Sequence, residues 1–146
     1  MAHAVPQTYE NHVRFVPAYH GGAFGIFAIN LLWSLYRAVT HASADSVIAL
    51  LLAIGFLIMF GYTRRFALTV QDRVIRLEMR LRLERLLPAD LQPRISEITL
   101  DQLIALRFAG DEELPGLCRT VLEQKVSDRK TIKKMVRNWT ADYLRV

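Results

Sequence analysis

Four histidines, one cysteine, a short acidic cluster and a basic run are the residues in this 146-residue chain whose types could do chemistry. The histidines, at positions 3, 12, 20 and 41, form no HxxxH or HExxH pair, the spacing that sets two imidazoles on one helix face for a metal ion. His20 could ligate haem in a symmetric dimer, but no second ligand is visible in the later apolar stretch. It is read instead as a hydrogen-bonded histidine at a membrane edge, beside Tyr19. Cys118 stands next to Arg119, and no histidine after His41 is there to activate it, so a buried core thiol is expected. One cysteine also excludes an intramolecular disulfide framework and a zinc site built on paired cysteines. Asp111, Glu112 and Glu113 are read as the cap and first turn of a helix, where carboxylates suit the positive end of the dipole. There is no glycine-rich phosphate loop, and no nucleophile has triad partners in a recognisable frame. The expectation is a protein that is not an enzyme and carries neither cofactor nor metal.

The basic run Arg129, Lys130, Lys133, Lys134 and Arg137 is the one competing chemical feature. A capped helix and a short turn precede it, as they would precede a helix-turn-helix reader. Lysine and arginine contacts to phosphate carry no sequence information alone, and a charge run is usually a solvated face. Nucleic acid is therefore the lesser expectation, behind lipid headgroups or an acidic protein surface.

The elements that position these residues divide the chain by polarity. All basic residues except Arg14 and Arg37 lie from Arg64 onward, and so do all acidic ones except Glu10 and Asp45. Ser46 to Thr63 contains no charge over 18 residues and is apolar all round. A helix of that length rises about 27 Å, close to the hydrocarbon thickness of a bilayer. Gly21 to Tyr36 is uncharged over 16 residues and reaches Val39 if Arg37 snorkels. Trp33 and Tyr36 cluster at that end, where amphipathic aromatics favour an interface. Within this span Gly21 and Gly25 form a GxxxG for close helix contact, and Asn30 is the polar residue that could bond across helices. Twenty mostly polar residues precede the stretch and no small-residue cleavage pattern closes it, which favours an uncleaved anchor over a signal peptide.

Orientation follows from the span flanks. Arg64, Arg65, Arg73 and Arg76 follow the second span, whereas the connection between the spans holds only Arg37. The positive-inside rule then places the C-terminal part in the cytoplasm, and two spans return the N-terminus to the same side. Cys118 would sit in a reducing compartment.

From Arg64 to Leu87 no glycine or proline interrupts a helical pattern, which stops at Pro88. Val70, Val74, Leu77 and Leu81 recur at heptad spacing, and Leu68, Ile75, Met79, Leu83 and Leu86 widen the apolar surface. Asp72–Arg76 and Glu78–Arg82 have the spacing of favourable ion pairs. This basic helix either continues the span or kinks at Gly61 or near Arg64-Arg65. It either packs on the tail, the favoured reading, or lies on anionic headgroups.

After a linker from Pro88 to Pro93, Thr99 with Gln102 forms a capping box for a helix ending near Gly110. Asp111 opens the next. Ser127 or Asp128 opens a last helix reaching about Leu144, with Ile132, Met135, Val136, Trp139 and Tyr143 on one face. Leu103, Leu106, Leu114, Leu117, Val121 and Leu122 supply the surfaces that face it.

Two segments carry a family likeness: Asn11-His-Val-Arg-Phe-Val-Pro-Ala-Tyr-His20, and Leu103-Ile-Ala-Leu-Arg-Phe-Ala-Gly-Asp-Glu-Glu-Leu-Pro115 followed by Ile132-Lys-Lys and Trp139-Thr-Ala-Asp-Tyr-Leu-Arg-Val146. With the spans between them, the chain resembles an uncharacterised family of small bacterial membrane proteins with two spans. That resemblance implies a bacterial two-span protein of unknown function and transfers no catalytic residue.

The expected architecture is all-α, in four parts. Residues 1–20 form an N-terminal cytoplasmic segment and residues 21–63 a transmembrane hairpin with spans at about 21–39 and 46–63. Residues 64–87 form a basic amphipathic helix, and residues 94–146 a small three-helix cytoplasmic tail. The expected partners are the lipid bilayer and other membrane helices, in a homo- or hetero-oligomer, with no small-molecule substrate evident. The functional expectation is a non-enzymatic accessory protein of the bacterial inner membrane, a small subunit of a larger complex. The alternative is a membrane-tethered nucleic-acid-binding regulator.

Overall fold

A computed structural model describes residues 7–11 and 15–143. The described residues form helices and no strand, with an isolated β-bridge between Ala109 and Trp139. Of the described residues, 15–68 form one compact unit, and 7–11 with 69–143 form another.

The apolar unit contains two helices. A turn of π-helix, Ala18–Ala23, leads into α1, Phe24–Thr40. The second helix, α2, runs Ala44–Leu86 and carries on into the other unit without a break at Gly61 or Arg64-Arg65. Ser43 opens it through a reciprocal cap. Its Oγ accepts the Ser46 N–H at 3.2 Å, and Ser46 Oγ accepts the Ser43 N–H at 2.9 Å. Ser46 Oγ also donates to the His41 carbonyl at 3.1 Å, which ties the three-residue turn between the helices. Ring contacts align α1 and α2 in opposite directions: Phe27 stacks on Phe56 at 5.7 Å, and Tyr19 stacks on Phe60 at 4.2 Å. The Tyr19 hydroxyl donates to the Phe60 carbonyl at 2.6 Å.

In the second unit the face of α2 formed by Ile75, Met79 and Leu83 is buried against α3, Leu100–Leu106, α4, Leu114–Glu123, and α5, Arg129–Met135. The linker supplies Leu87, Leu91, Ile95 and Ile98 to the same core. Gln92 Nε2 donates to the Glu84 and Leu87 carbonyls, both at 2.8 Å, and so satisfies acceptors that the end of α2 leaves open. The Thr99–Gln102 capping box is present, and Gln102 Nε2 goes on to the Val126 carbonyl at 2.9 Å. Leu103, Leu106, Leu114, Leu117, Val121 and Leu122 are all buried, as their periodicity implies.

Val70, Val74, Leu77 and Leu81 are 47–62% exposed, whereas Ile75, Met79 and Leu83 of the same apolar surface are buried in the tail core. Three expectations are overturned. Among the described residues neither Asp72–Arg76 nor Glu78–Arg82 is an ion pair, and Arg82 turns instead to Asp111 at 2.6 Å. Asp111 is accordingly not a cap; residues 111–113 form a turn and α4 starts at Leu114, with Pro115 in its first turn. The last helix ends at Met135, so Val136, Trp139 and Tyr143 do not extend its face; Leu144 lies outside the described residues. What stops it is a carboxylate. Glu113 accepts the backbone N–H groups of Arg137 at 3.1 Å and Asn138 at 3.0 Å, removing donors a continuing helix would use internally.

Candidate interaction site

The densest arrangement of polar and aromatic groups lies where the α3–α4 turn meets the segment after α5. Phe108 is fully buried and stacks on Trp139 with ring centroids 4.5 Å apart. The Arg107 guanidinium lies 4.6 Å from the Phe108 ring centroid, and Lys133 Nζ lies 5.1 Å from it. Backbone pairing fixes the two segments in register: Gly110 N–H donates to the Asn138 carbonyl at 2.9 Å and Thr140 N–H to the Phe108 carbonyl at 2.7 Å. A side chain at Gly110 would push the Asn138 amide aside. A Cβ there would stand 2.9 Å from Asn138 Nδ2 and 3.4 Å from the Asn138 carbonyl oxygen.

Arg82 joins α2 to this assembly. Its Nε donates to Asp111 at 2.8 Å, Nη1 to the Arg107 carbonyl at 3.2 Å and Nη2 to the Ala109 carbonyl at 2.6 Å. The guanidinium fork is suited to several fixed acceptors at once, and an ammonium is not. Arg82→Ala is expected to cost about 2–3 kcal/mol, the range for loss of charged hydrogen bonds that leaves carbonyls unsatisfied. Arg82→Lys should recover less than half. Chaotrope unfolding of the purified chain in a Trp33→Phe background, followed by Trp139 fluorescence, measures both.

Cys118 is fully buried and its thiol is pushed up to about 12 by desolvation, opposed in part by the Arg82 charge. A thiol in that environment is a core residue rather than a nucleophile. Exposed Asp128 is held below the usual carboxylate range by the hydroxyl and backbone N–H of Thr131, as expected of an N-cap. No cluster of three metal-ligating side chains occurs among the described residues.

The sequence-derived interface residues occupy the apolar unit and its margins. His20 Nδ1 lies 3.1 Å from the Val16 N–H and 3.0 Å from its carbonyl, with Phe15 stacked at 5.0 Å. Trp33 stacks on Tyr36 at 5.7 Å, and both are exposed. With Arg37 and His41 they line an open depression of about 580 Å³. Arg64 is half-buried, and the Arg65 guanidinium stands 5.8 Å from the Tyr62 ring centroid. Gly21 and Gly25 have nothing within 4 Å of where a Cβ would be, so neither is a close contact between α1 and α2. Asn30 is exposed and makes no hydrogen bond to α2 among the described residues.

The basic run is divided. Arg129 pairs with Asp101, Lys133 faces Phe108, and Lys134 Nζ lies 5.8 Å from the Tyr9 ring. Arg137 is beyond the end of α5, a helix of only seven residues. Sequence reasoning also missed Arg82, Phe108, Gly110, Glu113 and Trp139 as one unit, although the likeness segments contain four of these five.

The DUF6526 family model matches residues 1–146. The chain belongs to that family. The family is one of unknown function. No curated protein and no solved structure matches the chain. The two helices Ala18–Thr40 and Ala44–Leu86 are long and apolar enough to cross a membrane.

Proposed function

We propose that this chain is a non-enzymatic integral protein of the bacterial inner membrane that serves as an accessory subunit of a larger complex. Its two apolar helices form a transmembrane hairpin, and both termini lie in the cytoplasm with the helical tail. The observation that carries this reading is apolar length combined with exposure. The most apolar windows of the two helices are only 6% and 11% buried within the chain, whereas the core helix of a water-soluble domain is mostly buried. Lipid is the solvent that suits such surfaces, and Trp33, Tyr36, Arg37, Arg64 and Arg65 are of the types that mark its boundaries.

A cytoplasmic location for both ends is supported from two directions. The basic flank is Arg64, Arg65, Arg73 and Arg76 rather than the turn between the helices. Gln7 and Asp142 also exchange hydrogen bonds, which supports placing the segment before α1 and the segment after α5 on one side. The tail offers a tightly built surface to a partner. The nucleic-acid reading gains nothing from the geometry, since three of the five basic side chains have partners within the chain.

Cysteine labelling tests the topology. Ala42 and Glu112 are both exposed, one in the turn between the helices and one before α4. Ala42→Cys should react with a membrane-impermeant maleimide in intact cells. Glu112→Cys should react only after the membrane is opened. The opposite order would overturn the cytoplasmic tail, and equal labelling of both in intact cells would overturn the membrane reading.

A further inference from the structure

The part of α2 that packs on the tail is apolar on two sides. Ile75, Met79 and Leu83 are buried, while Val70, Val74, Leu77 and Leu81 are exposed on a face roughly 170° away at 100° per residue. The exposed residues follow one another at intervals of 4, 3 and 4, the spacing of a coiled-coil seam. We propose that this seam is the contact between two copies of the chain, packed as a parallel, two-fold symmetric pair along Val70–Leu81.

Spacing and charge both point to a second copy. In the register that places Val74 and Leu81 at a and Val70 and Leu77 at d, Arg73 falls at g and Glu78 at the following e. In a parallel pair the g residue of one helix meets the next e residue of its partner, so Arg73 of each copy faces Glu78 of the other, twice by symmetry. Both side chains are exposed, and among the described residues neither has an ion pair within its own chain. Val74 at a followed by Leu77 at d is the combination that favours two strands. The like-charged g and e pair Arg80 and Arg85 is eased because Arg85 lies 3.6 Å from Asp111. The parallel orientation rests on the membrane reading above, since two copies inserted alike present α2 in the same direction.

The test uses the full chain in its membrane, with single cysteines along one stretch of α2. Buried Cys118 stays in place. Mild oxidation should cross-link Val74→Cys and Leu81→Cys to their own copies. Arg76→Cys, on a different face, should cross-link at least tenfold less. Glu78→Arg should lower dimer formation about tenfold, equivalent to about 1.4 kcal/mol, and adding Arg73→Glu should restore it. Equal cross-linking at all three positions, or none at Val74 and Leu81, would overturn the proposal, as would failure of the charge exchange to rescue. Lipid coverage or a different partner protein on the seam would give that absence. Alkaline carbonate extraction of the same samples reads the membrane assignment separately. Soluble chain that still cross-links at Val74 and Leu81 would remove the membrane and retain the pair.

Discussion

Phe108→Ala is expected to lower the stability of the tail by about 3–5 kcal/mol, the largest single effect in the molecule. The ring is fully buried, stacks on Trp139 and has two cations over it, so truncation removes a core volume and an aromatic pair together. It also loosens the register that Gly110 and Thr140 set through their backbone bonds. Many domains have only 5–15 kcal/mol to lose. Trp139 emission should shift toward that of a solvated indole, and the midpoint of chaotrope unfolding should fall sharply. A change under 1 kcal/mol would mean that the Phe108–Trp139 stack does not hold the two segments together. Phe108→Leu, which keeps most of the volume, should lose less than half as much.

The second large effect is on the reactivity of Cys118. Burial pushes its thiol up to about 12, against about 8.5 for a free thiol. The thiolate fraction near neutral pH is therefore lower by about a thousandfold than for a free thiol, before any steric protection is counted. Alkylation of the native chain should be negligible over hours and become rapid once the tail is unfolded by chaotrope. The same shift sets a pH dependence. The native thiol holds its proton where the unfolded one has released it, so this contribution to stability is complete below about 9. It falls as pH rises toward about 12. Cys118→Ala should flatten that alkaline loss while leaving a small cavity. A native Cys118 that alkylates as fast as a free thiol would show that the tail opens readily or is not packed as described.

Much of the fold was legible because it rests on local signals. An 18-residue uncharged stretch, the Thr99–Gln102 box, the leucines of α3 and α4 and the Asp128 cap are each defined within a few residues of sequence. The direction in which α2 faces was not legible. Val70–Val74–Leu77–Leu81 and Ile75–Met79–Leu83 are equally plausible inward faces by periodicity, and only the tail decides between them. The end of α5 was hidden for a similar reason. No glycine or proline lies between Arg129 and Tyr143, and the stop comes from Glu113, 24 residues earlier. Asp111 had the right type and position for a cap, but a guanidinium from α2 takes its carboxylate. Long-range partners overrode correct local chemistry at each of these places. The site was less legible than the fold, since Phe108 and Trp139 belong to different segments of the chain and nothing local announces that they meet.

The exchange of hydrogen bonds between Gln7 and Asp142 joins residues 135 positions apart. In chain-entropy terms it closes a loop that contains the entire apolar unit, and such a loop grows costlier only as the logarithm of its length. Two hydrogen bonds between the Gln7 amide and the Asp142 backbone can therefore hold it once the intervening helices have shortened the path. Non-local contacts of this kind are made late in folding and lost early. Amide protons near Asp142 should exchange faster than those near Phe108, so the joint between the two ends is the region where the assembled tail first begins to come apart.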